Sequence, residues 1–329
     1  MGINILGTGS YVPQNAVSND DLSKLVETND EWIRTRTGIT SRRISKWEPT
    51  WYMGAKAAVQ AIEKSGADAS EIGLIITSSV TSDLHTPSIS SVIQAQIGAE
   101  NAFAFDINAA CSGFIYAVDT AQRFLATDST IKYALVVSTE NLTDITDFSD
   151  RNTCVLFGDG AAAVVIEKSD KLYTSYLNSD GSGAKHLYAK CMGKNPTFAK
   201  ENESFNDPFA AGKMHAIIQN GKEVYKFAVK ALPNAMNEAA RKINFDMSEI
   251  DYIVPHQANV RIIETASKNI GVPMEKFIIT LDHYGNTSSA SIPLALNEAI
   301  ESGKIKHGQK IGFVGFGAGL TSGAIILEY

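Results

Sequence analysis

Apolar residues along this 329-residue chain recur with two periods, and each period predicts a different kind of element. Apolar runs of strand length fall at 72–76, 132–137, 163–167, 251–255, 310–315 and 324–329, and a strand-like run opens the chain at Ile3. Ala-Phe-Ala-Phe at 102–105 reads as a short buried strand. Between these runs, apolar positions three and four residues apart predict helices, most clearly at 112–126 and in two Ala-rich stretches at 53–65 and 225–242. Strands alternating with helices imply an α/β protein with largely parallel sheets and helices packed on them.

The pattern occurs twice. Ser70-Glu-Ile-Gly-Leu-Ile-Ile76 returns as Ser248-Glu-Ile-Asp-Tyr-Ile-Val254, each after an Ala-rich helix, at an offset of 178 residues. Phe105-Asp106 corresponds to Leu281-Asp282 at 176, the run 132–137 to 310–315 at 178, and 163–167 to 324–328 at 161. Each match is weak alone, but matches in one order indicate a duplication. Two similar βα halves related by a pseudo-twofold axis are therefore expected, at 1–172 and 173–329. The stretch of about 178–220 fits neither copy and is rich in Gly, Ser, Asn and Lys, so a cap or loop over a site is expected there.

Composition changes the picture mainly by exclusion. With 44% hydrophobic and 20% charged residues the chain reads as an ordinary globular protein, and a net charge of −7 argues against a nucleic-acid partner. No apolar run approaches the roughly 20 residues that span a bilayer, so no membrane association is expected. The opening residues lack the basic stretch of a signal peptide, and Leu6 stands where a myristoylation signal needs Ser or Thr, so a cytoplasmic location is expected. Cys111, Cys154 and Cys191 are too few and too scattered for a disulfide framework or a zinc site, and no metal is expected.

Cys111 draws attention by its context. It lies on the turn between the 102–105 strand and the 112–126 helix, where free backbone N–H groups and the helix dipole favour an anion. Such a place can draw a thiol from its free value toward about 7 or lower. His256 follows a strand end closed by Pro255 and precedes a helix starting near Ala258, the side of an α/β sheet where ligands bind. Asn286 lies in the Asp282-to-Ser289 turn that the duplication pairs with the cysteine turn, so Cys111, His256 and Asn286 converge by symmetry. His85, His186, His215, His283 and His307 read as solvated or loop residues.

Two glycine-rich stretches are not nucleotide loops. Gly7-Thr-Gly9 lacks the third glycine of a dinucleotide fingerprint, since position 12 is Val12. Gly315-Phe-Gly317-Ala-Gly319 leads into a strand, and suits a close backbone approach that offers N–H groups to an oxyanion. The separation of Cys111 and His256 also fits a papain-like protease, but the residues around Cys111 lack that family's signature and the duplication has no place in it.

With these motifs in hand the chain resembles the β-ketoacyl-[acyl-carrier-protein] synthase III family of condensing enzymes. Asp30-Glu-Trp-Ile-Arg-Thr-Arg-Thr-Gly-Ile39, Ala110-Cys-Ser-Gly-Phe114, Phe157-Gly-Asp-Gly160, Pro255-His-Gln-Ala-Asn259 and Tyr284-Gly-Asn-Thr-Ser288 match it in order, nearly end to end. The third polar position, Asn286, separates it from relatives that carry a second Cys or two His. The resemblance implies a thiolase-like fold in αβαβα layers with mixed sheets. It implies an acyltransferase that joins an acyl-CoA starter, acetyl-CoA foremost, to malonyl-[acyl-carrier protein] and releases CO₂.

Carried over residue by residue, the resemblance makes Cys111 the acylated nucleophile and His256 and Asn286 the donors to the enolate oxygen. Backbone N–H groups of Cys111 and Ala318 form the oxyanion hole, with Phe316 shielding the site; the family usually has Gly where Ala318 stands. Coenzyme A, as a thioester substrate and not a cofactor, falls to Thr28, Trp32, Arg36, Arg151, Tyr225, Ala258 and Asn259. Lys222 departs from the family's usual Asn. Lys226, Arg261 and Lys268 resemble a docking patch for the acidic carrier protein. A homodimer is implied, with the partner copy's Thr86 and the chain's own Phe157 bounding the acyl pocket. Two other readings stay open: an acyltransferase or starter enzyme of secondary metabolism using longer or branched acyl-CoA, and an inactive scaffold.

Overall fold

The computed structural model describes residues 1–192, 208–209 and 212–329. Its frame is two sheets. The first runs Gly2–Tyr11, Asp159–Ser169, Tyr133–Asn141, Ile72–Ser78, Phe103–Ile107, with the first two pairings antiparallel and the last two parallel. The second runs Tyr173–Ser179, Thr321–Glu328, Lys310–Gly317, Tyr252–Pro255, with the same succession of antiparallel, antiparallel and parallel. Its fifth place is reduced to a single parallel bridge, Ile253 to Phe277. The expected duplication is thus the architecture itself.

The sheets are mixed, where the alternating pattern suggested mostly parallel ones. Lys310–Gly317 and Thr321–Glu328 are joined by a short turn, which only an antiparallel pair permits. Parallel pairs occur where a helix separates the strands. A second difference concerns Phe103–Ile107, expected to be buried. It is the edge strand of its sheet, and Phe103 is 44% exposed.

Apolar packing sets the layers. Gly113–Thr127 and Ser291–Glu301 lie between the sheets, where Phe114, Val118, Ile292 and Leu296 meet Ile76 and Val136 of one sheet and Phe313 and Ile325 of the other. Most of their positions are buried because both sheets cover them. Thr50–Ser65 and Ile89–Ile97 cover the outer face of the first sheet, and Gly221–Lys242 and Val260–Ile270 that of the second. The result is α-β-α-β-α. Gly7 and Gly9 serve this packing: a Cβ on either would lie 2.3 or 2.2 Å from a carbonyl oxygen of the covering helix.

Side chains from elsewhere fix the helix starts near the site. Asp83 accepts from the N–H groups of Thr50 and Trp51 at 2.9 and 2.8 Å. Asp106 accepts from those of Ile89 and Ser90, both at 2.8 Å, tying the end of the edge strand to a helix just before the cysteine turn. Of the expected cap, a turn at Gly181–His186 and a two-stranded ladder, Leu187–Ala189 with Ile217–Gln219, are seen. The cap's positions 193–207 and 210–211 lie outside the described residues.

Candidate active site

The cysteine turn is built tightly. Asn108 Oδ1 accepts from the Ala110 N–H at 3.2 Å, and Ala110 takes the left-handed conformation at φ +48. One 3-10 turn, Ala110–Ser112, then delivers the chain into the Gly113–Thr127 helix. A Cβ on Gly317 would lie 2.6 Å from the Cys111 nitrogen, so the glycine loop presses its backbone against the cysteine, as its sequence suggested.

Cys111 is part open to the cavity, but its thiol is not the acidic one expected from its place at a helix start. Burial pushes it up to about 12; the nearby Ser288 hydroxyl pulls down, the Glu140 carboxylate pushes up further, and its own N–H pulls down. The free N–H groups of a short turn do not offset the loss of water around a buried anion.

His256, next after the Tyr252–Pro255 strand, is 1% exposed. Its Nδ1 is 2.7 Å from Ser291 Oγ, and Phe316 packs edge-to-face on the ring at 5.4 Å. Burial lowers its pKa to about 3, so the ring is neutral at ordinary pH. Asn286 is also buried, and its Oδ1 accepts from the Ser288 N–H at 2.9 Å. That bond fixes the amide: Nδ2, the donor, is the group left for a ligand.

Behind these residues lies a carboxyl that no sequence motif singles out. Glu140, at 0% exposure, accepts from Ser289 Oγ at 2.7 Å, Thr81 Oγ1 at 2.8 Å, Val80 N at 3.0 Å, Ser79 Oγ at 3.3 Å and Ser289 N at 3.4 Å. It braces the loop carrying Asn286 against the end of the Ile72–Ser78 strand. Burial raises its pKa.

A cavity of about 740 Å³ brings together Cys111, His256, Asn286, Phe316, Ala318, Phe157, Tyr225, Ala258 and Asn259. One wall, also missed by sequence reasoning, is apolar: Val80, Leu142, Ile145, Leu156 and Ile217 beside Phe157. Leu187, Tyr188 and Cys191 from the cap reach its rim. Thr86 is exposed and does not line the cavity of its own chain.

The remaining expected ligand residues stand outside the lining, near its mouth, where Asn152 contributes. Trp32, half-buried, carries the guanidinium of Arg36 at 4.5 Å and that of Arg151 at 4.6 Å from its ring centre. Arg151 also donates to the Glu27 carbonyl at 2.9 Å. Thr28 Oγ1 is buried without a partner. Asn259 caps the Val260–Ile270 helix through Arg261 N and donates to the Arg36 carbonyl at 3.0 Å. Of the basic trio, Arg261 is engaged with the Thr35 carbonyl at 2.8 Å and Lys226 with Glu223 at 2.7 Å. Among the described residues no helix is long and apolar enough to cross a membrane.

Two βα halves, with a cysteine on a helix-entry turn facing a buried histidine and a buried asparagine in one cavity, are the fold and site of a condensing acyltransferase of the thiolase kind. Comparison with known proteins agrees. Residues 105–182 match the family described as 3-Oxoacyl-[acyl-carrier-protein (ACP)] synthase III, and 240–329 match its C-terminal part. The chain is 48% identical to the β-ketoacyl-[acyl-carrier-protein] synthase III of Clostridium acetobutylicum over 99% of its length and 98% of that protein's. It superposes on the 3-oxoacyl-[acyl-carrier-protein] synthase III of Aquifex aeolicus with a TM-score of 0.90 and 40% identity, covering all of both chains. The priming β-ketosynthase of the R1128 polyketide pathway is similar at 36% identity and a TM-score of 0.87, over 99% of this chain and 96% of that one. The chain belongs to the β-ketoacyl-[acyl-carrier-protein] synthase III family.

Proposed function

We propose that Cys111, His256 and Asn286 carry the family's reaction, the condensation of an acyl-CoA with malonyl-[acyl-carrier protein] that initiates fatty-acid synthesis. In the first half-reaction Cys111 sulfur attacks the thioester carbonyl of acyl-CoA. The oxyanion is held by the N–H groups of Cys111 and Ala318, coenzyme A leaves, and its sulfur takes the proton that Cys111 gives up. This coupling suits a thiol held up by burial, because no free thiolate has to persist in a dry site. In the second half-reaction the malonyl carboxylate leaves as CO₂. The electron pair passes to the thioester enolate, whose oxygen His256 and Asn286 hold, and the enolate carbon attacks the acyl-Cys111 carbonyl. That attack forms the new C–C bond, and collapse of the tetrahedral adduct breaks the C–S bond and expels the Cys111 sulfur, which takes a proton from solvent. Fixed donors aimed at a developing oxyanion are the strongest lever available in such a site.

The observation that carries this reading is the orientation of Asn286. The Ser288 N–H engages its oxygen, which leaves the Nδ2 donor for substrate. Intact-protein mass spectrometry after acetyl-CoA should show one acetyl adduct, absent from Cys111→Ala. His256→Ala and Asn286→Ala should retain that adduct yet lose CO₂ release by about 10²-fold or more. Equal failure of both half-reactions would overturn the division of labour.

Acetyl-CoA is the proposed starter, with a longer or branched acyl-CoA in secondary metabolism as the alternative. The apolar wall and the likeness to a priming ketosynthase of polyketide synthesis are the grounds for that second reading. The mouth beside Trp32 and Arg151 suits the adenine of coenzyme A, provided Arg151 swings off the ring it now covers. Lys226, Arg261 and Lys268 would receive the carrier protein. Phe103, stacked on Phe105 at 6.4 Å along an open sheet edge, supports a homodimer that brings the partner copy's Thr86 to the pocket. A cytoplasmic location is part of the same reading.

A further inference from the structure

The Ser291 hydroxyl touches His256 on the side away from the cavity, and the two possible directions of that hydrogen bond have opposite chemical consequences. If Nδ1–H donates to Ser291, then Nε2 is left as a lone pair facing the substrate. If the hydroxyl donates to Nδ1, then Nε2 carries the proton. The surroundings decide between them. Both side chains are 1% exposed, so water does not adjust the bond. The Gln257 N–H points at the same Ser291 oxygen at 3.4 Å, and besides Nδ1 the hydroxyl has no acceptor among the described residues. A hydroxyl hydrogen left unpaired in a dry core is costly, so the oxygen receives from Gln257 and its hydrogen goes to Nδ1.

We infer that Ser291 is a positioning residue for the condensation, locking His256 as the Nε2–H tautomer so that the ring presents a donor to the substrate. The duplication supplies an independent control. At the 178-residue offset His256 corresponds to Ser78 and Ser291 to Gly113, and these also meet: a Cβ on Gly113 would lie 1.8 Å from Ser78 Oγ. The fold therefore brings these two positions together in each half. Only the second half places a ring on one and a hydroxyl on the other. Phe316 holds the plane of the ring but has no polar atom, and it cannot choose the tautomer.

This inference rests on the donor role proposed for His256, and the experiment separates the two. Two-bond ¹H–¹⁵N spectra of histidine-labelled protein, assigned with His256→Ala, report which nitrogen carries the proton. Wild type should show Nε2–H for His256, and Ser291→Ala should shift the signals toward a mixture. Ser291→Ala should also lower condensation 10- to 100-fold while acetylation of Cys111 by acetyl-CoA changes less than twofold, and Ser291→Thr should restore most of the loss. A proton on Nδ1 in wild type overturns the inference, and that measurement needs no variant of Ser291. So does a Ser291→Ala enzyme whose tautomer and condensation are unchanged while His256→Ala is inactive. Condensation that survives His256→Ala would instead refute the donor role of His256.

Discussion

Acid should affect the stability of this enzyme long before it affects the histidine in its site. His256 is buried, neutral and held at a pKa of about 3, against 6.5 for a free side chain. A depressed pKa means that the unfolded chain takes up the proton and the folded one does not. The contribution of His256 to stability is therefore complete above pH 6.5 and is lost progressively as pH falls toward 3. At pH 5 the free side chain is already protonated with an advantage of about 2 kcal/mol, taking roughly 1.4 kcal/mol per pH step below 6.5. That is a large share of a total stability of about 5–15 kcal/mol. Urea unfolding of wild type and His256→Gln at pH 7.5 and pH 5 should show wild type losing about 2 kcal/mol more. Over the same range, single-turnover condensation by the acetylated enzyme should show no inflection near pH 6.5, since the folded ring never charges there. Equal acid losses in both proteins, or a condensation rate that halves around pH 6.5, would refute a neutral buried donor.

Other outcomes follow from neighbouring groups. Alkylation of Cys111 by iodoacetamide, read against Cys111→Ala, should keep rising beyond pH 9, because burial holds the thiol up to about 12; a plateau by pH 8 would mean that the helix start prevails. Glu140→Ala strands the donors of Ser79, Thr81, Val80 and Ser289 and should cost about 3 kcal/mol in urea unfolding. Glu140→Gln, which keeps an acceptor, should cost less, and equal losses would refute the bracing role. Thr86→Phe should lower turnover of octanoyl-CoA relative to acetyl-CoA; an unchanged ratio would remove Thr86 from the acyl pocket.

What could be read from the sequence was whatever the chain states locally. The strand–turn–helix around Cys111, the strand end before His256 and the repeat of both halves are written in consecutive residues, and the fold reproduces them. The apolar wall is different in kind. Beside the expected Phe157, Val80, Leu142, Leu156 and Ile217 come from separate segments, and each alone is an ordinary apolar residue. Glu140 was hidden for a related reason. It is next to last in the apolar Tyr133–Asn141 strand, where a carboxylate would normally meet water, and Ser289 from the other half joins Ser79, Val80 and Thr81 around it. The expected acidity of Cys111 failed because backbone direction is legible in sequence whereas the desolvation around a side chain is not. Phe157-Gly158-Asp159-Gly160 belongs between these cases. Asp159 pins two loops through Ser45 N at 2.8 Å and Thr143 N at 2.9 Å, while a Cβ on Gly158 would lie 2.4 Å from the Tyr284 carbonyl oxygen. The motif was visible, and its work is to seat the turn that carries Asn286.

The duplication also explains why the site is divided as it is. Ala110 and Ser288, 178 residues apart, are both left-handed, at φ +48 and φ +49, and each opens a single 3-10 turn before a central helix. The fold thus offers two equivalent turns that meet in the core. A condensation between two thioesters needs an attacking sulfur on one carbonyl and hydrogen-bond donors on the other, held at separate points about one bond-forming distance apart. In the proposed reaction the two turns divide these tasks, and one position in the turn is that of the nucleophile. In the first half that position is Cys111. Its counterpart is Ser289, whose hydroxyl is spent on Glu140 at 2.7 Å, and the donor of that turn is set back to Asn286. Divergence of the two copies, with the proposed nucleophile Cys111 in one and the proposed enolate donors His256 and Asn286 in the other, fits a repeated scaffold to the joining of two acyl groups.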